Sequence, residues 1–276
     1  MKTLHFDYDM RLLYAEEVKK CYFTIKCIPP NTARQRLEKM EIEMEPSVHY
    51  ERGEDSFGNQ LLYGRVDVSH RTFSFHIAGE ATTGLAAHEI SENGSMTGLY
   101  RYPYGLTVPG DGLKAYHAGL ESDLNLTAEC SDQQKGIILM NRLYQDFSYE
   151  KNVTGVTTSA EDAWRGGSGV CQDYAHIMIA LCRLSGIPAR YVTGMLIGEG
   201  YSHAWVEICS GGKWYGLDPT NNLIVAEDHI KLGTGRDASD CPINRGLLTG
   251  GGAQTQTVYV SVKEGGIPVV PCGGAE

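Results

Sequence analysis

The hydrophobic period of this chain changes part-way along, and that change restricts its fold more than any other feature. In the first part apolar side chains alternate with polar ones. In MEIEME, Met40, Ile42 and Met44 face one way while Glu41, Glu43 and Glu45 face the other, the two-residue period of a half-buried strand. RTFSFHI repeats it with Phe73, Phe75 and Ile77, KCYFTIKCI and LLYGRVDV supply further strands, and DSFGN (55–59) supplies a turn. From Asp132 the spacing becomes helical: Ile137, Met140 and Tyr144, with Leu139, Leu143 and Phe147, recur at three and four residues. Helical and strand segments are mixed from there, and the end returns to strand with Val258, Val260 and Val262 alternating against Thr257, Tyr259 and Ser261. The pattern predicts an α+β chain: a small antiparallel β-sandwich over residues 1–115, then a mixed domain over 116–276. The stretch 80–131, rich in Gly, Ser and Tyr, reads as the connection between them.

At 276 residues, with 42% hydrophobic and 21% charged residues, the chain can bury a sizeable core. Its net charge of -10 argues against unaided binding to nucleic acid or to an anionic membrane, both of which need a concentrated basic face. No run of 18 apolar residues and no signal-peptide core occurs, so a cytoplasmic location is expected. There the eight cysteines, at 21, 27, 130, 171, 182, 209, 241 and 272, are reduced thiols. Sequons at Asn93, Asn125 and Asn152 carry no weight without a secretory route.

One of those cysteines has an unusual setting. In RGGSGVCQDYAHIMIALC, small residues stop at Cys171 and a helix follows, with apolar positions Ala175, Met178, Ile179 and Cys182 and a stop at Gly186 and Pro188. A cysteine in a first helical turn faces unpaired N–H groups and the positive end of the macrodipole, which favour a thiolate and can hold an oxyanion. Gly166, Gly167, Ser168 and Gly169 leave room for substrate. A lone cysteine is more often buried filler, as Cys182 on the packed face illustrates, so Cys171 needs a base.

The stretch YSHAWVEICSGGKWYGLDPTN supplies one. It reads as a hairpin. A Ser210-Gly211 loop sets His203 opposite Asp218; a Gly211-Gly212 loop sets Trp205 there. Either keeps His203 and Asp218 on one face with Trp205, Glu207 and Trp214, while Ala204, Val206, Ile208, Tyr215 and Leu217 form the more apolar face. Together Cys171 as nucleophile, His203 as base and Asp218 as the acid that fixes the base's tautomer satisfy the logic of a catalytic triad. Other motifs fail. His88-Glu89 lacks the second histidine of a zinc-protease helix, the glycine groups lack a nucleotide-loop pattern, and Cys171, His203 and Cys209 do not make up a recognisable four-ligand zinc set.

GVCQDYAHIMIALCRLSGIPARYVTG, HAWVEI and WYGLDPTNN together resemble the transglutaminase-like superfamily, whose core is related to papain-like cysteine proteases. The resemblance implies a Cys-bearing helix packed on an antiparallel sheet that carries His203 and Asp218 on neighbouring strands. The chain up to DSFGN looks like the β-rich region that precedes such cores in bacteria, and GRDASD (235–240) resembles a loop after the DPTN segment. Tyr149 and Trp164 are candidates for the family's upstream oxyanion aromatic, each also readable as packing; no calcium loop is recognisable. The expectation is a thiol-dependent amide hydrolase acting on a peptide or amide substrate without cofactor or metal. Acyl transfer to an amine and a noncatalytic peptide-binding module are the alternatives.

Overall fold

The computed structural model describes residues 1–91, 94–123 and 130–265. Asn93, Asn125 and Cys272 lie outside them. Strands open the chain: β1 (Lys2–Ile25), β2 (Gln35–Glu45), β3 (Tyr50–Glu54), β4 (Gln60–Val66), β5 (His70–Thr83) and the short β6 (Glu89–Ile90). Next come α1 (Gly94–Leu99), α2 (Asp111–Asp123), α3 (Asp132–Asp146), β7 (Ser148–Tyr149), α4 (Ala160–Gly166), β8 (Ser168–Gly169) and α5 (Cys171–Leu184). The chain then returns to strand with β9 (Ala189–Leu196), β10 (Gly198–Gly200), β11 (His203–Ser210), β12 (Lys213–Asp218), β13 (Leu223–Ile224), β14 (His229–Gly235), β15 (Asn244–Gly250) and β16 (Gln254–Glu264). No described helix is long and apolar enough to cross a membrane.

The expected alternation holds in the first strands. Phe73, Phe75 and Ile77 are buried, and β1 buries Leu4, Phe6, Tyr8, Met10, Leu12 and Tyr14 at every second position. KCYFTIKCI is the far half of this one long strand. Its pairing is irregular between Leu13 and Val18, so the near half lies between β5 and β16 and the far half between β4 and β15. Phe23 of the far half packs with its ring centroid 5.2 Å from that of Phe73, which pairs with the near half, and both enter one core. DSFGN is a turn: Asp55 Oδ1 accepts from the N–H groups of Phe57 and Asn59, and Gly58 takes φ +81.

The division expected at residue 115 does not separate the two sheets. The chain's last strands, β15 and β16, pair with β1 and complete the first sheet. β10 joins them beside β16. The second sheet runs β13-β12-β11-β9-β14, with β6 also on β12, and all its described pairings are antiparallel. It contributes Met195, Ile230 and Leu232 to the first sheet's core.

On one face of the second sheet lies α5, almost wholly buried, with α3 beside it. Ala204, Val206, Ile208 and Leu217 pack there, as the alternation predicts. Gly136 of α3 is required by this contact, because a Cβ there would approach Ile208 to 2.5 Å. α3 begins at a Ser131/Gln134 capping box. The stretch read only as a connection contains α1, α2 and β6.

Candidate active site

Three elements bring the sequence-derived candidates together. Cys171 is the first residue of α5 and is partly exposed; Val170 before it is extended. That helix start is held by Asp173, whose Oδ2 accepts from the Val170 N–H at 2.8 Å and the Thr154 hydroxyl at 2.6 Å. The carboxylate can fold back this far because position 169 is glycine: a Cβ there would lie 2.5 Å from Asp173 Oδ2. Burial raises the pKa of Asp173, and the Thr154 and Val170 donors oppose it.

His203 opens β11 and Asp218 ends β12. The hairpin register is the Gly211-Gly212 alternative, with Ser210 paired to Lys213 and Val206 to Leu217. Both loop glycines have positive φ, +56 and +74, the left-handed pair that a two-residue hairpin loop favours. His203 and Asp218 are therefore diagonal rather than opposite, and the imidazole spans the diagonal: its Nε2 lies 2.7 Å from Asp218 Oδ2. Cys171 lies near enough to the same ring to raise its pKa, and Nδ1 is the ring nitrogen not engaged by Asp218. The structure thus brings all three residues into one constellation.

The electrostatics are strong because the acid is buried. Asp218 is fully buried, yet its carboxylate is held far below the usual range: burial pushes its pKa up, and donors from His203, His229 and Asn221 more than reverse this. Oδ2 takes His203, Asn221 Nδ2 at 2.8 Å and His229 Nε2 at 3.3 Å; Oδ1 takes the N–H groups of Thr220 at 3.1 Å and Asn221 at 3.3 Å. Burial alone would lower the His203 pKa, but the hydrogen bond to Asp218 and the interactions with Asp218 and the nearby Cys171 raise it to about 10. An imidazolium is favoured at neutral pH, with Asp218 on one side and the sulfur on the other.

Sequence reasoning missed His229. It starts β14, two strands beyond β11 in the sheet, and no motif marks it. Trp205 connects the two positions: its indole packs edge-on to His229 with centroids 5.2 Å apart. The indole crosses β9 at Gly194, where a Cβ would sit 2.3 Å from the Trp205 ring. The ligand atoms of His203, Asp218 and His229 lie within 4.8 Å of one another, close enough to suggest a metal. Hydrogen bonds explain that spacing, since Asp218 is already met by two histidines, Asn221 and two backbone amides.

The other candidates separate cleanly. Cys182 is buried, its thiol pushed up to about 12. Trp164 packs on Tyr116, with centroids 4.1 Å apart, and belongs to the helical core. Tyr149 is half exposed and its strand pairs with Ser168 and Gly169, just before Cys171, which leaves it at the site. Cys209 packs with Tyr100 and Trp214, away from the zinc set considered for it. The GRDASD loop lies under α5, where the Ala238 N–H donates to His176 Nε2 at 3.2 Å, and burial keeps His176 neutral with a pKa of about 4.

Residues 125–219 match the family model of the transglutaminase-like superfamily, and residues 4–82 match that of the bacterial transglutaminase-like N-terminal region. The chain carries a transglutaminase-like core. An uncharacterized protein of Mycobacterium leprae is 40% identical over 124 residues, 41% of this chain and 44% of that protein. The chain thus spans less than half of that relative's length. An uncharacterized protein of Mycobacterium bovis is 27% identical over 280 aligned residues, covering 85% of this chain and 84% of that protein. A proposed cysteine protease of Cytophaga hutchinsonii, known as a crystal structure, shares the fold: TM-score 0.78 at 21% identity, over 95% of this chain and 90% of that one.

Proposed function

We propose that the chain is a thiol-dependent amide hydrolase with Cys171 as nucleophile, His203 as acid and base, and Asp218 as the group that orients His203. The observation that carries this reading is the shared imidazole: one ring meets a buried carboxylate through Nε2 and is also raised in pKa by the nearby cysteine sulfur at a helix start. In the first half-reaction the Cys171 sulfur adds to the amide carbonyl carbon, and the first-turn N–H of α5 faces the developing oxyanion. His203 gives its proton to the amine, the C–N bond breaks, and a thioester remains on Cys171. In the second, His203 takes a proton from water, which attacks the thioester and releases the acid and the thiol. Tyr149, at the rim, is the remaining aromatic candidate for holding the oxyanion.

Acyl transfer differs only in the second step, where an amine replaces water. Among the described residues none marks a pocket for such an amine, and hydrolysis is the reading preferred. A noncatalytic peptide-binding module would need none of the thiol's surroundings. Reaction with a fluorescent iodoacetamide at neutral pH separates the two. Rapid labelling that disappears in Cys171→Ala and survives in Cys182→Ala supports the enzyme; slow labelling spread over several cysteines opposes it.

A further inference from the structure

His229 is the least expected member of the site, and its strand is fastened in an unusual way. β14 is the edge of the second sheet, so its outer N–H and C=O groups have no strand to pair with. Two buried amide side chains of the first sheet region take that place. Gln35 donates from Nε2 to the Lys231 carbonyl at 2.9 Å and accepts from the Lys231 N–H at 2.8 Å. Asn59 donates from Nδ2 to the Thr234 carbonyl at 2.8 Å and accepts from the Thr234 N–H at 2.7 Å. Residues three apart can both point outward because the β9/β14 register shifts between Lys231 and Gly233. The preceding loop is held likewise: Arg34 donates to the Val225 carbonyl at 3.0 Å, Thr83 to the Glu227 carbonyl at 2.5 Å, and Lys2 pairs with Asp228 at 2.8 Å.

Everything fastened in this way leads to His229. Its side chain is 3% exposed and its Nε2 lies 3.3 Å from Asp218 Oδ2, the oxygen that also orients His203. With the carboxylate ionised, that nitrogen carries the proton. Its ring packs against Trp205 and lies 6.1 Å from the His203 ring. Charged groups nearby are Lys231, Glu207, Glu89 and Arg190, which satisfy one another: Lys231 Nζ is 2.7 Å from both carboxylates, and Arg190 lies against the same two. They leave Asp218 as the partner of His229.

We propose that the N-terminal sheet region is a positioning device for the Cys171–His203 pair: through Gln35, Asn59 and Thr83 it fixes the 225–234 segment, and His229 on that segment holds Asp218. His229 is a positioning residue, acting on the sulfur only through Asp218 and His203. The inference rests on the proposed role of Cys171.

The test is the rate of Cys171 alkylation by iodoacetamide, followed from about pH 5 to about pH 10, the range over which histidine and thiol groups titrate, in the full-length protein, with folding verified by circular dichroism. His229→Leu is expected to slow the reaction at neutral pH by about tenfold or more, as loss of an orienting partner does elsewhere, and to move the pH profile. His229→Gln, which retains a donor, recovers part of the rate. Gln35→Leu is expected to slow it in the wild-type background and to add less than about twofold in the His229→Leu background, because non-additivity marks residues that act through one another. Thr83→Val, which removes one hydrogen bond, serves the same cycle if Gln35→Leu does not fold. A His229→Leu protein with the wild-type rate and profile, beside a fast wild-type Cys171, overturns this inference alone. So does full multiplication of the two effects in the double variant. A wild-type Cys171 no faster than an ordinary thiol overturns the proposed function and this inference with it.

Discussion

Replacing Asp218 by asparagine tests how the buried acid works, because the side chain keeps its size and loses only its charge and one acceptor. In the wild type Oδ2 meets three donors and Oδ1 meets two backbone N–H groups. The backbone donors cannot change, so the asparagine oxygen must take the Oδ1 place and its NH2 must face His203, His229 and Asn221. His203 then accepts at Nε2, and its proton moves to Nδ1, the nitrogen available to Cys171. A ring in that tautomer cannot take the thiol proton. With the histidines switching tautomer and Asn221 left short of an acceptor, the fold loses about 1–3 kcal/mol, the cost of one unpaired buried polar group. Reactivity suffers more: the same substitution in a serine-protease triad costs about 10⁴-fold through the wrong tautomer, and a loss of about 10³ or more is expected here. Urea denaturation measures the first quantity, and neutral-pH alkylation of Cys171 with turnover of an amide substrate measures the second. An Asp218→Asn protein with wild-type alkylation kinetics would refute the assignment of Asp218 as the orienting acid, whatever its stability.

Two further outcomes follow from the site's surroundings. Gly194→Ala places a methyl 2.3 Å from the Trp205 ring and from the Ile230 carbonyl, so the indole must leave its place beside His229; a stability loss of about 1–3 kcal/mol and a slower Cys171 reaction are expected, read by thermal melting and alkylation. Stability should also fall in alkali: the His203 pKa is raised from its ordinary 6.5 to about 10, so its contribution is complete below 6.5 and is lost as pH rises through 10. That contribution is on the order of a few kcal/mol, and His203→Gln should flatten this limb in a pH series of urea unfolding.

Much of this site was legible in the sequence because it depends on local rules. The start of α5 follows from the small residues before Cys171 and its end from Gly186, and the shared face of His203 and Asp218 survives either two-residue loop. The choice between loops was not legible, since Ser-Gly and Gly-Gly both suit a tight turn. What settles it is φ above zero at both Gly211 and Gly212. Long-range pairing was also hidden. The alternation of 257–262 marks a strand without saying that Val260 and Val262 enter the core of a sheet begun at Lys2. His229 was invisible for a related reason: its partner comes from β12, and a Trp laid across Gly194 links their neighbourhoods. The histidine's position in HIKLGTG, alternating along a strand after the DPTN segment, was the only signal available.

A nucleophilic Cys171 must carry the acyl group part-way through turnover, and intact-protein mass spectrometry detects that intermediate. The protein is mixed with an activated ester or a peptide amide, quenched in acid within seconds, and digested to locate the added mass. One acyl group is expected on Cys171, absent from Cys171→Ala, accumulating in His203→Ala only with the activated ester, whose leaving group needs no proton. Substrate turnover with no acyl group on Cys171, or with the group equally on Cys182 or Cys209, would contradict a nucleophilic Cys171.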